Sequence, residues 1–132
     1  MDLHWSLLRT GRLRHEFVDD ILASRRHFAE MWVPCAEDSL FLLLVHPAFA
    51  KHLSGWDMGM HRVVDIALWL ETQETQWPVV EQRLSVCGVR TAAWATLRWL
   101  QLLMPSMKHL RSRKCWALFS PAPHVARGSI RG

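Results

Sequence analysis

The sequence predicts a mainly α-helical bundle of about four to six helices, and it allows a short strand or extended segment near the N-terminus. Apolar residues recur at helical spacing in several segments, and residues typical of helix starts and ends flank those segments. A chain of 132 residues is also long enough to bury one core without disulfides. We therefore predict a helical domain over residues 1–104, followed by a flexible, basic tail over residues 105–132.

The first third of the chain contains two candidate extended segments and one short helix. Asp2–Leu8 alternates and then runs apolar, which is typical of a short strand. Glu16–Ala23 places its apolar residues on one side and its acids on the other, which predicts a helix. His27–Cys35 favours an extended conformation at its end, because Val33 precedes a proline.

The next helix is predicted to be buried on all sides. Glu37 and Asp38 place negative charge in its first turn, where the helix dipole favours it. Leu40–Val45 then runs apolar without interruption, which is typical of a helix surrounded by others. Pro47 is expected to kink this helix or to mark the restart of a second one, and Ser54-Gly55 is expected to end it.

Three further helices are predicted in the second half. One runs from about Met58 to Glu74, another from Trp77-Pro78 to Cys87-Gly88, and the last from Thr91 to Met104. The expected buried positions of the first two are Met60, Val63, Val64, Ala67, Leu68 and Leu70, and then Val79, Val80, Leu84 and Val86.

The positive charge of the protein belongs to its tail. From residue 105 onward there are six basic residues and no acid, whereas the preceding 104 residues carry ten basic and twelve acidic residues. A basic tail of this kind can bind nucleic acid, although most such tails are simply solvated.

Cysteine usage and the apolar runs indicate a soluble, cytoplasmic protein. The three cysteines are far apart and show no C-x-x-C spacing, so neither a disulfide framework nor a zinc site is indicated. The N-terminus lacks the pattern of a signal peptide. Leu40–Val45, the longest apolar run, is much shorter than the ~20 residues that cross a bilayer, so no membrane association is expected.

The sequence contains few catalytic patterns. Phosphate-binding glycine loops, H-E-x-x-H and G-x-S-x-G are all missing. Arg9 and His15 have roughly the spacing of a small helical ribonuclease pair, but they fall in a predicted loop, and short Arg–His spacings are common by accident. His46 and His52 flank Pro47 without sharing a helical face.

Several short motifs nevertheless occur in an order that resembles one family. Asp2-Leu3-His4-Trp5-Ser6-Leu7-Leu8 looks like a "D/E-L-H-W-x-L" strand, and Pro34–Leu40 resembles "P-x-x-E-D-x-L" at a helix start. His46 and His52 match "L-x-x-H…H" and are followed by Trp56.

The second half continues the series. Val63–Leu68, which contains Asp65, resembles "L-x-D-[IL]-A-L", and Trp77 stands where the family has "D-W". Cys87–Arg90 resembles "L-G-[LV]-R". In this order the motifs resemble the uncharacterised bacterial nucleotidyltransferases of the polymerase β superfamily, specifically their C-terminal helical portion, over roughly residues 2–104.

The resemblance implies Mg²⁺ and a nucleoside triphosphate as cofactor and substrate. In the superfamily, three carboxylates hold two metal ions that stabilise the attacking and leaving oxygens of phosphoryl transfer. Asp2 stands where the third carboxylate is expected. The resemblance therefore implies that Asp2 is a metal ligand if other carboxylates complete the site. The competing interpretation of Asp2 is an exposed acid near a chain terminus. His4, Trp5, His46, His52 and Asp65 are motif positions of unknown role.

The same resemblance implies an incomplete site. A Gly-Ser element followed by Asp-x-Asp, which supplies the other two carboxylates in the superfamily, does not occur in the chain. We therefore expect a fragment or degenerate homologue that is inactive alone and that pairs with a missing N-terminal segment or with a second copy. The alternative function is a non-catalytic helical module that binds protein or nucleic acid through exposed tryptophans or the basic tail.

Overall fold

The computed structural model describes residues 11–50 and 60–107 and is mainly helical, as predicted. Its elements in these ranges are α1 (Val18–Ala23), β1 (Arg26–Phe28), β2 (Met31–Val33), α2 (Ala36–Ala50), α3 (Met60–Thr72), α4 (Trp77–Cys87) and α5 (Arg90–Leu103). The Asp2–Leu8 strand and most of the basic tail are predictions that lie outside the described residues.

Helix α2 is the centre of the bundle. It packs against α3, α4 and α5, and α4 also packs against α5. Leu40, Phe41, Leu44 and Val45 on α2 are all fully or almost fully buried, as the apolar run predicted. Leu42 and Leu43 are only partly buried, so the expected burial on every side of this helix was wrong. The buried Pro47 lies inside α2, which continues to Ala50, so the expected restart of a second helix at this proline was wrong.

The outer helices bury narrower stripes than the sequence indicated. Helix α3 buries Val63, Ile66, Ala67 and Leu70, and α4 buries Val80, Leu84 and Cys87. The expected burial of Val64, Leu68 and Val86 was wrong, since these side chains are exposed. Each of these side chains is rotated about 100° around the helix axis from the buried residue next to it. It therefore lies outside the single stripe that packs against the bundle.

The connections between the helices follow local chemistry. Pro78 occupies the first turn of α4, where its missing N–H costs nothing. Gly88 ends α4 in the left-handed conformation at φ 73°, and its N–H bonds back to the carbonyl of Ser85 at 3.1 Å. The Arg14 side chain lies against this glycine, and a Cβ at residue 88 would come within 2.7 Å of Arg14 Cδ. Arg14 also donates its backbone N–H to the carbonyl of Cys87 at 3.0 Å.

The predicted extended segment is a β-hairpin. Strands β1 and β2 pair antiparallel, with Arg26 opposite Val33, His27 opposite Trp32 and Phe28 opposite Met31. Ala29 adopts φ 52° in the two-residue turn, a conformation that such tight turns require. Five of the six strand residues are exposed, so the hairpin projects from the bundle and does not contribute to its core.

Several tryptophans lie at the edge of the core. Trp69, Trp77 and Trp99 are partly buried against the apolar cluster. Trp32 on the hairpin and Trp94 on α5 are instead 62% and 43% exposed. Within the described residues, no helix is both long and apolar enough to cross a membrane.

Candidate functional site

The predicted site residues divide between described and undescribed parts of the chain. Asp2, His4, Trp5 and His52 lie outside the described residues. His46 lies on α2 and is half-buried, and Asp65 lies on α3 and is exposed. The Arg9 of the ribonuclease pattern is likewise outside the described residues, while His15 lies 3.2 Å from the carboxylate of Asp20.

Asp65 lines an open groove of about 550 Å³ between α2 and α3. The groove has apolar walls formed by Leu42, Leu43, Leu68 and Trp69, and its polar side chains are Ser39, Asp65, Thr72 and Gln73. Thr72 donates its hydroxyl to the carbonyl of Leu68 at 2.7 Å, so this hydroxyl is already committed to its own helix. The groove therefore offers apolar contact area with one carboxylate at its wall, which suits a ligand with an apolar ring and a hydrogen-bond donor.

The indole nitrogen of Trp69 adds a donor beside this groove. This Nε1 atom is buried and has no hydrogen-bond acceptor among the described residues. Buried indole N–H groups normally find an acceptor, so this N–H is an exception among the described residues, and it is closed off from the open groove.

A second cluster surrounds Asp38, whose side chain is completely buried at the start of α2. The Ser24 hydroxyl donates to its Oδ2, and the Cys35 thiol donates to the same oxygen at 3.0 Å. The guanidinium of Arg83 on α4 forms an ion pair with the other oxygen, Oδ1. Arg83 also lies over the ring of Phe17, 5.0 Å from the ring centroid. A buried carboxylate requires such partners, because desolvation of an unpaired charge is costly.

The Asp38 cluster fixes the base of the β-hairpin. Ser24 precedes β1 and Cys35 follows β2, so both ends of the hairpin bond to one carboxylate. Through Arg83, the same carboxylate connects the hairpin to α4. The sequence predicted Asp38 only as a first-turn acid. The signal that could have identified it was its place in the "P-x-x-E-D-x-L" motif.

Glu37, next to Asp38, connects the start of α2 to the start of α4. Its Oε1 accepts the backbone N–H of Gln76 at 3.3 Å. Burial raises the pKa of Glu37, but its own backbone N–H and that of Gln76 lower it. The Cys35 thiol and the Arg83 charge lower it further, and the net pKa of Glu37 lies below the ordinary glutamate value.

We expect Glu37→Gln to change how stability depends on pH. Because the folded-state pKa is lowered, the Glu37 carboxylate contributes stability above its unfolded-state pKa, and that contribution is lost as the pH falls through the folded-state pKa. At neutral pH the free energy of unfolding of the wild type should exceed that of the variant by less than about 1 kcal/mol. Urea unfolding at decreasing pH should show this difference disappear. Glu71→Gln, on an exposed part of α3, controls for the loss of one charge. Parallel pH curves for wild type and Glu37→Gln would contradict this role.

The described residues do not fit the two-metal site that the resemblance implies. Within residues 11–50 and 60–107, no group of three or more His, Cys, Asp or Glu side chains is placed to hold a metal ion. Asp38 is occupied by Arg83, and Asp65 is a single carboxylate in its groove. We therefore derive no catalytic step through Mg²⁺ from these residues.

Comparison with known proteins gives one match. The family described as "Uncharacterised nucleotidyltransferase" matches residues 1–105, which is most of the 132-residue chain. This match covers the region over which the motifs resemble the family, and it supports the superfamily-level prediction. Neither a curated protein nor a solved structure matches the chain. The chain is mainly helical where it is described, and it belongs to the uncharacterised nucleotidyltransferase family.

Proposed function

We propose that this chain supplies the helical, substrate-side part of a nucleotidyltransferase and is inactive unless other carboxylates complete its metal site. The observation that carries the proposal is the family match over residues 1–105 in a chain that contains no Asp-x-Asp pair. One carboxylate cannot hold the two metal ions of an in-line phosphoryl transfer. Asp2 is proposed as the single metal-binding carboxylate that this chain contributes.

The groove between α2 and α3 is proposed as the substrate-facing surface. Asp65 is the motif residue that lines it, and the Trp69 side chain forms part of its apolar wall. The apolar walls suit a planar ring, and the carboxylate suits an amino group on that ring. His46 belongs to the same helix as Ser39 and Leu42, which line the groove, although His46 itself is not a lining residue.

We expect no binding of Mg²⁺-ATP or Mg²⁺-GTP to this chain in isothermal titration calorimetry. The physical reason is that the sequence contains no Asp-x-Asp pair to bridge the metal ions and the triphosphate. Asp2→Asn and Asp65→Asn provide matched variants that each remove one carboxylate.

Clear binding that Asp2→Asn abolishes would overturn the proposal of inactivity. Light scattering on the same sample would then show whether a second copy completes the site. Binding that Asp65→Asn alone abolishes would instead place the nucleotide in the groove without help from Asp2, and would contradict the role proposed for Asp2.

A second candidate function, a non-catalytic interaction module, is supported by the exposed hairpin and not by the family match. Phe28, Met31 and Trp32 are 69%, 63% and 62% exposed, and all three lie on β1 and β2. Clustered, exposed apolar side chains on an ordered element are typical of a binding surface. The six basic residues of the tail are the other source of affinity for nucleic acid that the sequence predicts.

A further inference from the structure

The β-hairpin combines aromatic rings with cations on one of its two faces. Because side chains alternate along a strand, Arg25, His27 and Trp32 share one face. The Arg25 guanidinium carbon lies 4.9 Å from the centroid of the Trp32 ring, and the His27 ring meets that ring edge-on at 5.1 Å. Trp32 is still 62% exposed, so a ligand can reach it beside Arg25 and His27.

The opposite face carries a second aromatic ring and a second cation. Arg26 and Phe28 lie on this face together with Met31, and Phe28 is 69% exposed. Each face of the hairpin therefore presents one exposed aromatic ring and one arginine. Arg26 lies on strand β1, and Arg25 directly precedes it. We call Arg25, Arg26, His27, Phe28 and Trp32 the hairpin surface.

The charge of the hairpin surface is positive and unneutralised. In the described part of the chain, neither Arg25 nor Arg26 has a carboxylate partner, and Glu30 in the turn is the only acid between Arg25 and Val33. Arg25 donates one N–H to the carbonyl of Leu22, which holds the stem of this side chain near the base of the hairpin. An anionic ligand would therefore meet two cations without having to displace an existing ion pair.

The hairpin surface is also held in place before any ligand arrives. Asp38 accepts hydrogen bonds from Ser24 before β1 and from Cys35 after β2, and Arg83 neutralises the carboxylate from α4. A surface fixed in this way loses little conformational entropy on binding, which favours affinity.

We propose that the hairpin surface binds single-stranded nucleic acid. On one face a base would stack on Trp32 while Arg25 neutralises a phosphate, and on the opposite face Phe28 and Arg26 would form the corresponding pair. Exposed aromatic rings interleaved with cations are the arrangement that single strands require, because their bases are free to stack, whereas bases in a duplex are not. The unneutralised arginines favour this polyanion over an apolar protein partner, and the inference does not rest on nucleotidyl transfer.

The test is fluorescence anisotropy of a labelled oligo(dT) of about 12 nucleotides, a length within the range that such surfaces occupy. We expect Trp32→Ala in the full chain to bind roughly tenfold or more weakly than the wild type, because one stacked base is lost. Trp94→Ala is the matched control, since Trp94 is an exposed tryptophan on α5 and not on the hairpin, and it should bind as the wild type does. Far-ultraviolet circular dichroism of both variants would establish that they remain folded.

Salt dependence separates the arginines from the tail. Affinity should fall as salt is added, and Arg25→Gln/Arg26→Gln should reduce the slope by about 1.4, because each phosphate contact on a single strand contributes about 0.7. In a variant with Arg111, Arg113 and Lys114 of the tail changed to Gln, the further change Trp32→Ala should still weaken oligonucleotide binding by most of the factor seen in the wild-type background.

Three results would overturn the proposal. Equal affinities for Trp32→Ala and Trp94→Ala would remove the hairpin from binding. If the tail variant lost all oligonucleotide binding while Trp32→Ala lost none, the tail and not the hairpin would be the binding site. Unchanged oligonucleotide affinity in Trp32→Ala, combined with loss of a self-associated species in light scattering, would identify a second copy as the occupant. None of these results bears on the calorimetric test of nucleotide binding.

Discussion

Replacing Arg83 with alanine is expected to destabilise the protein by about 3–5 kcal/mol, because a buried carboxylate loses its counter-ion. Asp38 is completely buried, and Arg83 is the only cation that pairs with it among the described residues. Ser24 and Cys35 would still donate hydrogen bonds to Asp38, but two neutral donors do not replace a guanidinium. Urea unfolding at neutral pH, followed by circular dichroism, would measure the free energy of unfolding.

The control for Arg83→Ala is Arg98→Ala on α5. Arg98 is exposed and bonds to Gln101 on its own helix, so its loss should change the free energy of unfolding by no more than about 0.5 kcal/mol. The double variant Asp38→Asn/Arg83→Ala should lose less than the sum of the two single variants, since it leaves no uncompensated charge. A loss below about 1 kcal/mol in Arg83→Ala would show that Asp38 does not depend on this ion pair.

Phe41→Ala is expected to destabilise the protein by about 3–5 kcal/mol, through lost burial and a cavity in the core. Phe41 on α2 is 1% exposed, and its ring centroid lies 5.5 Å from that of Phe17. Because α2 packs against three other helices, the surrounding side chains have little freedom to fill the space. The same urea experiment measures the effect.

Phe28→Ala is the matched control for Phe41→Ala, because it removes the same side chain from a surface position. Phe28 is 69% exposed on the hairpin, so we expect a change within about 0.5 kcal/mol. Phe41→Ala is thus expected to lower the stability of the protein, whereas Phe28→Ala is expected to affect only the hairpin surface. A large loss in Phe28→Ala would show that the hairpin supports the core, which would contradict its description as a projecting element.

The order and type of the helices could be predicted from the sequence because local patterns determine them. Pro78 and Gly88 delimit α4 through backbone chemistry that needs no distant partner. The uninterrupted apolar run in α2 likewise predicted its central position. Exposure of Val64 and Leu68 could not be predicted in this way, because it depends on which neighbouring helices cover each side of α3.

The candidate sites could be predicted less well, because they depend on contacts between distant parts of the chain. Asp65 was identified through its motif, but the groove that it lines exists only once α2 and α3 are packed. Burial of Asp38 requires Arg83 from α4, and the sequence shows no pattern that connects these two residues. The extended segment before Pro34 was predicted, but its pairing as a hairpin with Trp32 opposite His27 was not.

The contact between Arg14 and Gly88 connects the segment before α1 to the end of α4. Because the Arg14 side chain occupies the space that a Cβ at residue 88 would need, the segment before α1 is anchored at the junction of α4 and α5. In a relative with a larger residue in place of Gly88, the Arg14 side chain would have to move away from this junction.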